Sequence, residues 1–230
     1  YVAHLAEKRY PEISKYKNDR LNGDEKRQLL KDTGALFLTK VGHVALNGTD
    51  NIIISAVVGV LWVGRLSNYT LICDSVTSVL CQITAAITGS LGNFFATEDK
   101  HAGYALFKKV EFLNFWLYGF SFIALVTLLD PFVQIWAGER FVLGLPISIA
   151  IAINFFVAGY MNTLWVFRST IGLFKQGKFR PILVAILNII LSIFLGKLWG
   201  VFGVLFATFL SRAAISLWYD PLILHRYGFE

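Results

Sequence analysis

The sequence predicts an all-α polytopic membrane protein. Six long apolar stretches are separated by short connectors, and the Lys and Arg residues gather in every second connector. In addition, 56% of the 230 residues are hydrophobic and the mean hydropathy is +0.59. Soluble domains usually hold about 45 to 50% apolar residues, so a soluble fold here would need an exceptionally large core. The predicted spans are Thr33 to Val58, Leu66 to Phe95, Val110 to Leu129, Leu145 to Ile171, Pro181 to Gly196 and Val201 to Leu222. At about 1.5 Å per residue most can cross a hydrocarbon layer of roughly 30 Å, and the fifth is marginal.

Residues 1–31 are polar and charged, with Pro11 and Asn22-Gly23 as turn signals, and read as a cytoplasmic tail or loop with a short surface helix. The opening Tyr1 without Met, and the absence of a signal-peptide pattern, read as the end of something longer. Asp32-Thr33 offers an N-cap for the first span, and the short connector near Gly59 to Gly64 makes the first two spans an antiparallel hairpin. Asp130-Pro131 is expected to break the chain after the third span, with Trp136 and Gly138 in an outer interfacial loop. Gly172 and Gly177 bracket the next loop, Pro181 starts the fifth span, and Asp220-Pro221 closes the sixth, leaving 223–230 as a C-terminal tail.

Charge sets the expected orientation. Fifteen of the 21 Lys and Arg residues lie in the N-terminal tail, the second-to-third and fourth-to-fifth connectors and the C-terminal tail. Only Arg65, Arg140 and Lys197 fall on the other side, and Lys40, Arg168 and Arg212 lie within spans. Basic connectors favour the cytoplasmic side, so both termini are expected there, in the plasma membrane. The net charge of +6 therefore needs no nucleic acid to explain it.

Polar groups inside the spans are the candidate site. Lys40, His43, Asn47 and Asp50 recur at steps of three, four and three, which puts them on one face of the first helix. An ionisable residue at mid-span is expensive in lipid, so this face must look onto protein or water, although Lys40 can also snorkel to the inner surface. In the second span Asp74 lies among small and hydroxyl residues that suit close packing. Asp50 and Asp74 lie twelve residues either side of Trp62, so a hairpin folded there puts them at similar depth, as an ion-coupling pair or as partners in ion pairs. Arg168, near the inner end of the fourth span, can grip a phosphate with its planar donors or anchor the helix at the headgroups. Trp62, Trp116, Tyr160 and Trp165 are candidates for stacking on sugar, or for interface belts. Cys73 and Cys81 lie too far apart on one helix to bridge. No phosphate loop, nucleophile elbow or zinc-protease motif is present, and a lone His43 makes no metal site, so neither enzyme chemistry nor a cofactor is expected.

The stretches Asn47-Gly-Thr-Asp50-Asn-Ile-Ile-Ile-Ser55, Gly64-Arg-Leu-Ser-Asn-Tyr69, Ile135-Trp-Ala-Gly138-Glu-Arg, Asn188-Ile-Ile-Leu-Ser192 and Trp199-Gly-Val-Phe-Gly203-Val-Leu-Phe-Ala-Thr208 run in order along nearly the whole chain. In these the chain resembles the C-terminal half of a bacterial polysaccharide (O-antigen or capsule repeat-unit) flippase, of the superfamily that also holds the MATE exporters. It departs from that pattern at Arg65-Leu66, where an apolar residue and Tyr are more usual. The resemblance implies one six-helix lobe of a MATE-like twelve-helix transporter, partnered by an N-terminal six-helix lobe. It also implies an undecaprenyl-pyrophosphate-linked oligosaccharide as substrate, turned across the membrane by alternating access, with membrane lipid and a polysaccharide polymerase as further partners. Lys40, His43, Asn47 and Arg168 are then the expected substrate contacts, and Asp50 and Asp74 the coupling or ion-pairing acids. The alternatives are another secondary exporter of the superfamily, or a membrane glycosyltransferase or ligase.

Overall fold

The computed structural model describes residues 22–173, 176–177 and 179–229. Its elements are α1 (Gly23–Val57), α2 (Val60–Thr97), α3 (Lys100–Trp136), a 3₁₀ turn (Glu139–Phe141), α4 (Leu145–Thr170), α5 (Arg180–Ser211), a π-helical segment (Arg212–Ser216), α6 (Leu217–Leu224) and a closing π-helical segment (His225–Phe229). Among the described residues there is no strand. An all-helical chain is what an apolar solvent dictates, because each helix satisfies its own backbone donors and acceptors.

Among the described residues four runs are long and apolar enough to cross a membrane: Val60–Phe95, Lys100–Trp136, Leu145–Thr170 and Arg180–Phe229. The helix α1 is not among them, since His43, Asn47, Asp50 and Asn51 interrupt its apolar stretch. The last run is not one straight rod. Gly200 breaks it with φ 61° and ψ −137°, outside helical space, and the chain turns back on itself. A Cβ on Gly203 would lie 2.0 Å from the Leu195 carbonyl oxygen, and one on Gly196 would lie 2.9 Å from the Val204 side chain. Asn188 bonds Thr208 and Arg180 pairs with Asp220 in the same antiparallel register. Each limb is about twenty residues, or about 30 Å, so the limb starting at Pro181 is not the marginal one that its apolar run suggests.

The connectors sort to two ends. Val58 approaches Gly200, and Tyr69 reaches the loop before α4, so the α1–α2 turn, residues 137–144 and the Gly200 turn share one end. There Tyr69 donates to Asp130 Oδ1 at 2.6 Å, Ser148 donates to the same oxygen at 2.8 Å, and the Leu143 amide donates to the Tyr69 hydroxyl at 2.9 Å. At the other end Phe95, Phe107 and Phe167 pack edge to face, and Tyr104 meets His225 and Phe229. This grouping is the one that the alternating basic connectors require. Midway, Tyr118 lies flat on Gly159, where any Cβ would come within 2.1 Å of the ring, and Asn114 donates to the Gly159 carbonyl at 3.0 Å.

Several local expectations are corrected. The first helix begins ten residues before Asp32, at Asn22, which forms a capping box with Glu25; the first 21 residues, including any surface helix there, lie outside the described residues. The α1–α2 turn is at Val58-Gly59, with Gly59 at φ 128°, and Trp62 and Gly64 are already inside α2. Helices run straight through both Asp-Pro pairs, at Pro131 in α3 and Pro221 in α6. Proline removes one backbone bond, but leaving the helix within lipid would expose many more polar groups, so the helix continues.

Two substitutions test this architecture. Gly203→Val forces a side chain into the Leu195 carbonyl and should split the α5 limbs, lowering the thermal unfolding midpoint in detergent by the equivalent of about 1–3 kcal/mol. Tyr69→Phe strips a donor from half-buried Asp130 and an acceptor from the Leu143 amide, and should destabilise by a similar amount, about 1–3 kcal/mol, in the same assay.

Candidate anion cavity and midplane polar network

A cavity of about 700 Å³ lies where α1, α4, α5 and α6 meet, with Gly42 of α1 so close to Pro181 that a Cβ would clash at 2.5 Å. Lys40, Trp165, Arg168, Arg180, Arg212 and Asp220 are the chemically distinctive residues of its wall. Four cations thus face one carboxylate. Its depth follows from counting along the helices: Lys40, Arg180 and Asp220 each lie about twenty residues, or about 30 Å, from the turns at the opposite end. That is the thickness of the hydrocarbon layer, so these three charges sit at headgroup level.

Asp220 is the hub. It accepts from Arg168 Nη1 at 2.5 Å through Oδ1 and from Arg180 Nη1 through Oδ2. All three residues are buried, and Arg168 also donates to the Gln176 carbonyl oxygen. The carboxylate therefore ties the C-terminal end of α4 to both limbs of the α5 hairpin. The π-helical Arg212–Ser216 segment lies directly before α6 and changes the angular register of the limb that carries Asp220.

A second polar group lies about 12–18 Å from the opposite turns, near the middle of the apolar layer. Thr208 donates to Asp50 Oδ2 at 2.7 Å and accepts from Asn188 Nδ2 at 2.9 Å. Both Asn188 and Arg212 act on the Asp50 carboxylate, and Arg212 reaches the Asn154 carbonyl at 3.4 Å. Asp50 Oδ1, Asn188 Oδ1 and Ser192 Oγ are buried with no hydrogen-bond partner among the described residues. Each of these oxygens is left open to a proton or another donor.

The expected site residues fare unequally. Lys40 is exposed and lines the cavity. Arg168 lines it too, 3% exposed and paired with Asp220. Asp50 belongs to the midplane network, whereas the side chains of His43 and Asn47 lie outside the described residues. Asp74 is exposed and does not join Asp50. The pairing failed because the turn is at Gly59 rather than Trp62, which leaves the two acids about 9 Å apart in depth. Trp165 lines the cavity, while Trp116 points outward at 60% exposure and Trp62 packs on the core near Arg65.

Arg180, Asp220, Asn188, Thr208 and Arg212 were not singled out from the sequence. A signal was available: positions 180 and 220 are equidistant from Gly200, the glycine in Trp199-Gly-Val201, so a turn there makes the two charges meet. Comparison with known proteins finds no matching family model, no matching curated protein and no matching solved structure.

Removing the hub should be far worse than removing one spoke. Asp220→Ala leaves two buried guanidiniums without an anion and should destabilise by about 3–5 kcal/mol, whereas Arg180→Gln keeps the Arg168–Asp220 pair and should lose clearly less. Thermal unfolding of the two variants in one detergent checks the order.

Proposed function

We propose that this chain is the second six-helix lobe of a lipid-linked oligosaccharide flippase, with both termini cytoplasmic. It would accept the pyrophosphate headgroup at the inner boundary of the membrane and release it outside by alternating access. The observation that carries this reading is a cation-rich cavity at headgroup depth, set inside an apolar helical lobe at the end where the basic connectors gather. A pyrophosphate and its sugars cannot cross hydrocarbon unaided, since each unsatisfied polar group costs several kcal/mol. Guanidinium and ammonium groups lining a wet cavity replace that lost hydration.

Support also comes from the ordered sequence resemblance, and from the Gly200 turn, which divides the last apolar run into two membrane-length limbs and so makes six passes when α1 is counted. In this reading Lys40 and the Arg168/Arg180 pair engage the headgroup, while the Asp50, Asn188 and Thr208 network at the midplane holds the coupling cation or proton. An exporter of other amphipathic solutes could use the same network, but the excess of cations over carboxylates in the cavity favours a phosphate-bearing solute.

In a strain lacking the gene, lipid-linked repeat units should accumulate on the inner leaflet, and the wild-type gene should clear them. Asp50→Asn should restore less than about a tenth of the wild-type export rate, whereas Asp74→Asn, on an exposed face away from the network, should restore most of it. Full complementation by Asp50→Asn, or no inner-leaflet accumulation in the deletion strain, would count against the reading.

A further inference from the structure

The Arg168–Asp220–Arg180 group is unbalanced in charge and in hydrogen bonds. Two guanidiniums share one carboxylate, with side-chain exposures of 4% for Arg168 and Asp220 and 9% for Arg180. The Nε–H groups of both arginines are buried with no acceptor among the described residues. Each Asp220 oxygen takes one Nη, end-on, and in this arrangement neither Nε edge is bonded to the carboxylate. A tetrahedral phosphate, with more oxygens spread over a larger angle, can accept side-on from Nε and Nη of both guanidiniums. Lys40 and Arg212, on the same cavity wall, add to a positive field that concentrates anions there.

The element bearing Asp220 also lacks part of its regular backbone ladder. Pro221 supplies no N–H to the Leu217 carbonyl, and the π-helical Arg212–Ser216 segment interrupts the regular ladder just before it. Across the cavity, Arg168 is held by more than Asp220, through the Gln176 carbonyl, so the arginine stays when the carboxylate leaves.

We propose that Asp220 is an internal counter-anion occupying the place of a ligand's phosphate: a phosphate- or pyrophosphate-bearing group enters the cavity, bonds Arg168 and Arg180, and displaces the carboxylate. Asp220 acts as a competitor, shutting the site to weak anions and keeping the two guanidiniums paired while no ligand is bound. The inference deepens the transport reading by naming the residues that take the headgroup, and it rests on that reading only for the ligand's identity.

Binding of radiolabelled inorganic pyrophosphate to the purified full chain in phosphatidylcholine nanodiscs tests it. Asp220→Asn should bind at least tenfold more tightly than wild type, and Arg180→Gln at least tenfold more weakly. Phosphatidic acid in the nanodisc, whose headgroup is a phosphate monoester, identifies the source: competition with pyrophosphate points to a lipid headgroup, and lack of competition to a free phosphate. Equal or weaker binding by Asp220→Asn overturns the proposal, as does unchanged binding by Arg180→Gln. If Asp220→Asn does not yield monodisperse protein, Arg180→Gln decides alone, because it preserves the Arg168–Asp220 pair. Tight binding in the expected order without inner-leaflet accumulation in the deletion strain would keep the site and discard the flippase; accumulation with no effect of either variant on binding would do the reverse.

Discussion

One carboxylate holds three membrane-length segments together at one end of the molecule. Asp220 lies between Arg168 on α4 and Arg180 at the start of α5, and it reaches them only because the chain reverses at Gly200. The hairpin register fixes the meeting, since residues equally far from the turn arrive at equal depth. Desolvating three charges is expensive, and mutual attraction recovers that only when geometry is good. Two cations to one anion is not a composition that stability alone would select. Beside it, Phe95, Phe107 and Phe167 supply apolar contacts between the same helix ends.

The surrounding lipid explains features that would be anomalous in water. Large apolar side chains such as Ile135, at 89% exposure, and Phe120, at 76%, point outward, and helices continue through Pro131 and Pro221. Serine and threonine hydroxyls bond back to carbonyls in their own helices, as Ser75 does to Leu71 and Thr88 to Thr84. Close backbone approach is reserved for glycine, at Gly42 against Pro181, Gly159 against Tyr118 and Gly203 against Leu195. Such contacts supply the packing that hydrophobicity cannot provide between helices already in an apolar medium.

Much of this was legible in the residues. Apolar run length foretold an all-helical chain with helices of membrane length, because a hydrocarbon layer of fixed thickness sets the length of an apolar run. Asp50 and Arg168 stood out as charges that lipid would not tolerate alone. The partners did not stand out, for a physical reason: which charges meet depends on the residue at which a hairpin turns. Placing the first turn at Trp62 rather than Gly59 paired Asp50 with the wrong acid, and reading Asp220-Pro221 as a terminator hid the hub. A shift of three residues at a turn displaces every pairing on one limb relative to the other by six, about 9 Å.

One hairpin carries most of both polar groups. Asn188 and Arg180 share its first limb, while Thr208, Arg212 and Asp220 follow one another along the second. Between Thr208 and Asp220 lies the π-helical Arg212–Ser216 segment, whose wider turn changes the register between them. Arg212 stands at its start, acting on Asp50 and bonding the Asn154 carbonyl on α4. A change in charge at Asp50 therefore alters the attraction on the residue that opens the π turn, and a change at Asp220 alters the pull on the helix that follows it. Coupling between distant sites requires an element with two arrangements that both sites bias. The geometry puts the irregular turn between them, and the same stretch of chain bears on both.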